Sequence, residues 1–163
     1  HSNQLLLPTV DFIEKNNQFS HTCVRASYSL LCLGLRFYRT IHIIKDTVVI
    51  ISQVKFKGLH SLDSYWYLPF QCDAKENEIR IPELNESLYL HYNGKCILSD
   101  TEVSYHYNEE SPAKRLLISS EFEDLGTQIL ILSTKQNMVA DYLISKSAIE
   151  LKYHNGDEII ISL

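Results

Sequence analysis

Glycine and proline are scarce in this chain, and their scarcity excludes several classes of protein. The 163 residues include five glycines and four prolines, too few for a disordered or low-complexity chain. The glycines are also widely spaced, whereas phosphate-binding loops of the Walker and dinucleotide types need several close together. The longest apolar stretches cover residues 30–35 and 48–51, far short of the ~20 residues that a membrane helix requires. We therefore expect no nucleotide-binding loop and no membrane span within this chain.

Positive charge is limited as well. The 15 Lys and Arg residues are outnumbered by 20 Asp and Glu residues, which gives a formal net charge of -5. The densest cationic stretches are short: Lys55–Lys57, Arg36 with Arg39, and Lys114 with Arg115. Contacts with a nucleic-acid backbone need clustered cations, so we expect no nucleic-acid partner.

Length and the first residues bear on domain organisation. A chain of 163 residues is most simply one domain. It begins His1-Ser2-Asn3 without Met, which fits either a tag remnant or a mature chain whose leader has been removed. Residues 1–22 have the least regular pattern. We expect an N-terminal arm or irregular segment over 1–22, partly derived from a tag, and a single β-rich domain over 23–163.

Asn-Gly dipeptides between alternating runs give the clearest structural pattern. Asn-Gly tolerates the positive φ angles of a type I′ turn, so in this setting it indicates a β-hairpin. Asn93-Gly94 links residues 88–92 to residues 95–99, and Asn155-Gly156 also lies between two alternating runs. The pattern predicts a tight hairpin at each dipeptide.

A third hairpin is predicted around Lys45-Asp46, with arms over 35–44 and 47–56. Its second arm is apolar at consecutive positions, as in a central strand that is covered on both faces.

Other segments complete a series of short strands. Residues 24–30 alternate like a half-buried strand, with a short helix over 25–35 as the rival interpretation. Residues 112–122 fit either a strand or a helix, and residues 58–64 are expected to form a loop. Ten to twelve strands at this spacing are typical of a sandwich or a barrel. We predict an all-β fold with at most one short helix, arranged as an antiparallel β-sandwich or, alternatively, as a closed up-and-down β-barrel.

The four cysteines favour export. An even number fits a disulfide-bonded protein in an oxidising compartment, either periplasmic or extracellular. Cys72 and Cys96 are the more natural pair, because each lies beside the end of a predicted strand. Cys23 and Cys32 differ in parity and need a turn between them to pair. The alternative is reduced thiols in a cytoplasmic protein. Asn85 begins a formal glycosylation sequon, which matters only in a secreted eukaryotic or viral chain.

Recognisable catalytic and metal-binding motifs are missing. No cysteine pair has zinc-binding spacing, and His91 with His106, the best histidine pair, lacks further ligands in the sequence pattern. The G-x-S-x-G turn of α/β-hydrolases is absent. We expect this chain to be no enzyme and to hold no metal and no cofactor.

Aromatic and acidic positions are the candidate binding residues. Tyr65, Trp66 and Tyr67 place large rings on both faces of one strand, although Trp66 is also a natural core residue. Tyr and Trp supply rigid, amphipathic contact area and dominate binding hot spots. The remaining candidates are Tyr105, His106 and Tyr107 and the acidic loop that contains Glu109 and Glu110.

These features favour a non-enzymatic protein-interaction module. Such a chain would be an exported or periplasmic binding or inhibitor protein, similar in role to an immunity protein, or a pathogen accessory protein. Its acidic loops would complement a basic protein partner. The alternative is a small-ligand or glycan-binding barrel or sandwich, in which Tyr65, Trp66 and Tyr67 stack on a sugar. The sequence leaves the oligomeric state open.

Overall fold

The chain folds into antiparallel β-sheets. The computed structural model describes residues 9–16, 21–30, 34–69, 72–75, 77–82, 85–106, 109–145 and 147–163. These residues form twelve strands: β1 Thr9–Asn16, β2 His21–Leu30, β3 Leu35–Ile44, β4 Thr47–Pro69, β5 Asp73–Lys75, β6 Glu78–Ile81, β7 Glu86–Tyr92, β8 Lys95–His106, β9 Glu109–Thr134, β10 Val139–Ile144, β11 Ala148–Tyr153 and β12 Glu158–Ser162. No α-helix forms within the described residues, and none of them could therefore supply a membrane-spanning helix.

Two open sheets contain all the strands. The larger has nine strands in the order β1-β2-β3-β4-β9-β7-β6-β5, with β8 also paired to β9, and the smaller has the order β10-β11-β12. The prediction of an all-β antiparallel sandwich is confirmed. The closed barrel and the short helix are wrong, because the sheets are not closed and residues 25–30 and 112–122 lie in strands.

The part of the larger sheet that contains the first half of β4 is buried on both faces. Val49 and Ile51 point towards the smaller sheet and pack with Ile149 and Leu151. Ile50 points the other way, into a second apolar cluster. This cluster contains residues from both halves of β9. The fold therefore has three layers with two apolar cores. Each fully buried Ile or Leu contributes about 1.5–3 kcal/mol, and the predicted central strand covered on both faces is confirmed.

The third layer arises because β4 and β9 fold back together. Gly58 and Asp124 both have positive φ angles, of 104° and 60°. The Gly58 N–H donates a hydrogen bond to Asp124 Oδ1 at 2.7 Å, which joins the two strands at the bend. A pairing irregularity between Lys55 and Leu59 lies at the same place. Residues 58–64, predicted to be a loop, remain in β4, because beyond the bend they pair with β9 again.

Ring contacts show how sharp the bend is. Residues four apart in an extended strand are separated by about 13 Å, yet the rings of Phe56 and His60 stack at 4.2 Å between centroids. On β9, a Cβ added to Gly126 would lie 2.6 Å from the ring of Phe122. Because glycine has no side chain, Gly126 leaves room for the Phe122 ring on the inside of the bend.

Asn93-Gly94 does not form the predicted hairpin. β7 and β8 do not pair with each other, because both pair with β9, at residues 130–134 and 109–119 respectively. Asn93 fills the gap between the two ladders. Its Nδ2 donates to the Thr127 carbonyl at 2.8 Å, and its Oδ1 accepts from the Ile129 N–H at 2.5 Å. The side-chain amide thus takes the place of a neighbouring strand's peptide group.

The other two hairpins are confirmed. β3 and β4 pair on either side of Lys45-Asp46, and β11 and β12 pair on either side of Asn155-Gly156. Lys45 Nζ contacts Asp157 Oδ2 at 2.7 Å, which ties the two turns together. This hydrogen bond raises the pKa of Lys45 and lowers the pKa of Asp157.

The N-terminal segment is more regular than predicted. Residues 9–16 form β1, which pairs with β2 along its length because an added strand satisfies the backbone groups of the sheet edge. A boundary between residues 22 and 23 stays a prediction.

Candidate functional site

Two tyrosines project from the outer face of the third layer. Tyr65 is 49% exposed and Tyr67 is 55% exposed, and they lie two residues apart on the same face of β4. Arg115, opposite Tyr67 on β9, places its guanidinium carbon 5.6 Å from the centre of the Tyr65 ring. Leu117 of β9 lies opposite Tyr65, and Ile97 of β8 lies opposite Leu117 on its other side. We call these five residues the tyrosine platform.

Trp66 points the opposite way, into the core beneath the tyrosine platform. It is half-buried and packs against the apolar cluster between the layers. The guanidinium carbon of Arg39 lies 5.3 Å from its ring centre. Arg39 also donates hydrogen bonds to Ser52 at 3.1 Å and to Ser64 at 3.5 Å, which join the middle layer to the third. These contacts hold the strand that carries Tyr65 and Tyr67 in a fixed position.

A buried amide strengthens the same region. Gln128 is 3% exposed, and its Nε2 lies within 3.0 Å of the carbonyl oxygens of Leu62 and Ile118. Because these carbonyls belong to the third layer, Gln128 fixes the bend from inside.

Of the other candidates, Tyr105 and His106 are the last two residues of β8, and Glu109 and Glu110 are the first two of β9. The backbone of His106 pairs with that of Glu109 at the start of β9, farther along the hairpin than Arg115. Glu109 and Glu110, predicted to form an acidic loop, instead begin β9, where the backbone of Glu109 pairs with β8 beyond an irregularity in the pairing. Tyr107 lies outside the described residues.

The predicted cysteine pairing stays a prediction. Cys72 is buried and Cys96 is half-buried, and both belong to the apolar cluster between the middle and third layers. Cys23 is buried against His42, and Cys32 lies outside the described residues. Glycosylation of Asn85, which has a φ of 51° in an exposed turn, is likewise untested.

His91, considered with His106 as a metal ligand, makes a structural contact. His91 Nε2 donates to the Val139 carbonyl at 2.8 Å, linking the two sheets. Within the described part of the chain, no group of three His, Cys, Asp or Glu side chains could hold a metal ion.

Sequence reasoning missed a groove between the larger sheet and β12. It has a volume of about 350 Å³, and its floor consists of neighbouring side chains on β2, β3 and β4. We call it the Arg25 groove. Its lining is Cys23, Arg25, Thr40, His42, Ile51, Gln53 and Ile160–Leu163. In the sequence these positions are only polar residues scattered among apolar ones on three strands. The pairing register is needed to show that they lie side by side.

The register places the polar side chains of the groove next to one another. Cys23 lies opposite His42, with Sγ 3.9 Å from Nε2, and Arg25 lies opposite Thr40. The guanidinium carbon of Arg25 is 4.7 Å from the centre of the Tyr38 ring.

Comparisons with known proteins find a similar fold in parts of longer solved structures. No family model and no curated relative matches the sequence. A mutant of heparan sulfate lyase HepC from Pedobacter heparinus is similar in structure, with a TM-score of 0.70 and 16% identity over 99% of this chain. Heparinase III is similar over 95% of this chain, with a TM-score of 0.72 and 10% identity. The chain spans 29% and 27% of the lengths of these two structures. At such identities the likeness establishes the fold.

These comparisons overturn the interpretation as a protein-interaction module of the inhibitor or immunity type. Nearly the whole chain superposes on part of much longer glycan-acting enzymes. The sequence misled because small size and missing motifs are equally typical of one part of a larger protein. The expectation that the chain is not itself an enzyme stays a prediction.

Proposed function

We propose that this chain is the β region of a longer glycan-acting protein and that it binds an acidic polysaccharide at the tyrosine platform. The observation that carries the proposal is the pair of exposed tyrosines on one face of β4. The fold that presents them resembles parts of a heparan sulfate lyase and of heparinase III. The glycan-binding alternative from the sequence is thus the interpretation we retain.

The chemistry of the platform fits a sugar chain. Tyr65 and Tyr67 are about 6.6 Å apart along the strand, so adjacent parts of an extended saccharide can lie over both rings. Tyrosine rings offer an apolar face to the sugar C–H groups and a hydroxyl to its polar edge. Arg115 adds a fixed positive charge beside Tyr65, which favours a sulfated or uronic saccharide over a neutral one.

The net charge of the whole chain limits how the polysaccharide is attracted. At -5, long-range steering of a polyanion is unfavourable. Binding therefore depends on short-range contacts at a few cations. We include export in the proposal, because an exported protein meets polysaccharides outside the cell, and we assign chain cleavage to the longer protein.

Titration calorimetry with heparan sulfate oligosaccharides tests the proposal. Tyr65→Ala and Tyr67→Ala should each weaken binding about two- to tenfold, if a ring against a sugar contributes as much as a pair of aromatic rings, roughly 0.5–1.5 kcal/mol. The matched control is Leu143→Ala, which removes a side chain that is 59% exposed on the smaller sheet. It should bind like the wild type. Wild-type affinity in the double variant Tyr65→Ala/Tyr67→Ala would refute the platform as the binding surface.

A further inference from the structure

The charge on the outer face of the third layer changes along β4. Asp63 is exposed and lies two residues before Tyr65, so it shares the face of Tyr65 and Tyr67. Ser64 is buried and accepts a hydrogen bond from Arg39 of the middle layer, so the residues on either side of Ser64 point outwards. Successive positions on this face are about 6.6 Å apart. A carboxylate therefore lies beside the first tyrosine of the tyrosine platform, on the side away from the second.

The neighbouring strands extend this negative region. Ser119 of β9 lies opposite Asp63, and its Oγ donates a hydrogen bond to Asp63 Oδ1 at 2.5 Å. Glu121 is the next residue of β9 on the same face and is exposed. Lys95 of β8 lies on the other side of Ser119, so this region has two carboxylates and one ammonium group. We call Asp63 and Glu121 the acidic end.

The opposite end of the same face is positive. Arg115 lies opposite Tyr67, one position beyond the apolar pair Leu117 and Ile97. In the described part of the chain, no ion pair involves Arg115, so its charge is available to a bound anion. Ser99 of β8 lies beside Arg115 and adds a hydroxyl group that can bind the same anion or a sugar hydroxyl. The platform thus runs from negative through apolar to positive.

We propose that the acidic end makes the tyrosine platform selective for polysaccharides whose charges are widely spaced, such as a chain with uronic carboxylates and few sulfates. This inference rests on the proposed function and narrows its ligand class. One anionic group binds beside Arg115, whereas the units that lie over Asp63 and Glu121 must carry no sulfate. Like charges placed opposite one another suppress binding of the wrong partner.

Repulsion at short range is the physical reason for the selectivity. Asp63 and Tyr67 are about 13 Å apart along β4, so a polysaccharide that covers both tyrosines and follows the strand also passes Asp63. In a densely sulfated chain some sulfate then lies close to the acidic end, within the screening length of about 8 Å at physiological salt. Sliding the chain along the platform brings the next sulfate to the same place. A chain with widely spaced charges can place one at Arg115 and none at the acidic end.

The test measures the affinity of Asp63→Asn by calorimetry for two oligosaccharides that are longer than the platform. One is a fully sulfated heparin oligosaccharide, and the other is its desulfated, N-acetylated form, which keeps the carboxylates. Asp63→Asn should raise the affinity for the sulfated form about two- to fivefold, the size of interactions between exposed charges, and should change the affinity for the desulfated form less. Asn also keeps an acceptor for the Ser119 hydroxyl. The matched control, Asp73→Asn, makes the same change at an exposed position of β5 and should leave both affinities unchanged.

The ratio of the two affinities, sulfated over desulfated, decides the proposal. A higher ratio in Asp63→Asn than in the wild type supports it. An unchanged or lower ratio, together with weakened binding in Tyr65→Ala/Tyr67→Ala, overturns the selectivity and leaves the platform standing. Absence of binding by the wild-type protein, or wild-type affinity in the double tyrosine variant, overturns both. If Asp63→Asn fails to fold, as judged by its circular dichroism, Glu121→Gln decides by the same ratio: a rise supports the acidic end, and an unchanged ratio overturns it.

Discussion

Asn93 should be far more important to stability than its position in an Asn-Gly turn implies. Its amide makes two hydrogen bonds to the backbone of β9, one to the Thr127 carbonyl and one from the Ile129 N–H. Each bond contributes a net ~0.5–1.5 kcal/mol. Asn93→Ala removes both and leaves two part-buried backbone groups without these partners. The expected loss in the free energy of unfolding is therefore about 1–3 kcal/mol.

The second Asn-Gly turn provides the matched control. Asn155 makes its side-chain bonds to Asp157 within an exposed turn, at 3.0 and 3.1 Å. Asn155→Ala should cost about 0.5 kcal/mol or less, because water replaces exposed bonds at little cost. Since 1 kcal/mol corresponds to roughly 2–4 °C in a chain of this size, thermal melts can separate the two variants. Equal melting temperatures for Asn93→Ala and Asn155→Ala would refute the assigned role of Asn93 between the ladders.

Three further predictions concern the bend and the turns. Gly126→Ala should lower stability by about 1–3 kcal/mol, because the added methyl group overlaps the Phe122 ring at the inside of the bend; a neutral result in a denaturant titration would contradict this packing. Gln128→Glu should lower stability by roughly 3 kcal/mol at neutral pH, since a buried carboxylate would face two carbonyl oxygens; the loss should shrink in acid as the carboxyl becomes protonated, and a pH-independent loss would count against it. The Lys45–Asp157 pair should stabilise the fold at neutral pH and lose this effect as pH falls through the lowered pKa of Asp157 or rises through the raised pKa of Lys45; melts of Asp157→Asn should therefore differ from the wild type only between these limits.

Local patterns in the sequence predicted what depends on near neighbours. The hairpins at Lys45-Asp46 and Asn155-Gly156 form because each pairs two adjacent segments, and the consecutive apolar residues at the start of β4 identify the doubly covered strand. The Asn93-Gly94 hairpin was predicted by the same rule and is wrong. Residues on both sides of this turn pair with β9, a strand later in the chain, and no local signal encodes that choice.

The candidate sites divide in the same way. Alternation along one strand is enough to place Tyr65 and Tyr67 on a face opposite Trp66, so this part of the tyrosine platform follows from the sequence. It gave no indication of Arg115, which reaches Tyr65 from β9. The Arg25 groove needs the register of three strands and the position of β12 together. Each of these features depends on contacts between residues far apart in the chain.

The most direct measurement is an NMR titration of the labelled protein with a heparan sulfate oligosaccharide, with a neutral oligosaccharide as the reference. The account predicts saturable shifts at Tyr65, Tyr67 and Arg115 with the anionic ligand and weaker shifts with the neutral one. Unchanged signals at these three residues at high concentrations of the anionic ligand would contradict the central claim that this chain binds an acidic polysaccharide at the tyrosine platform.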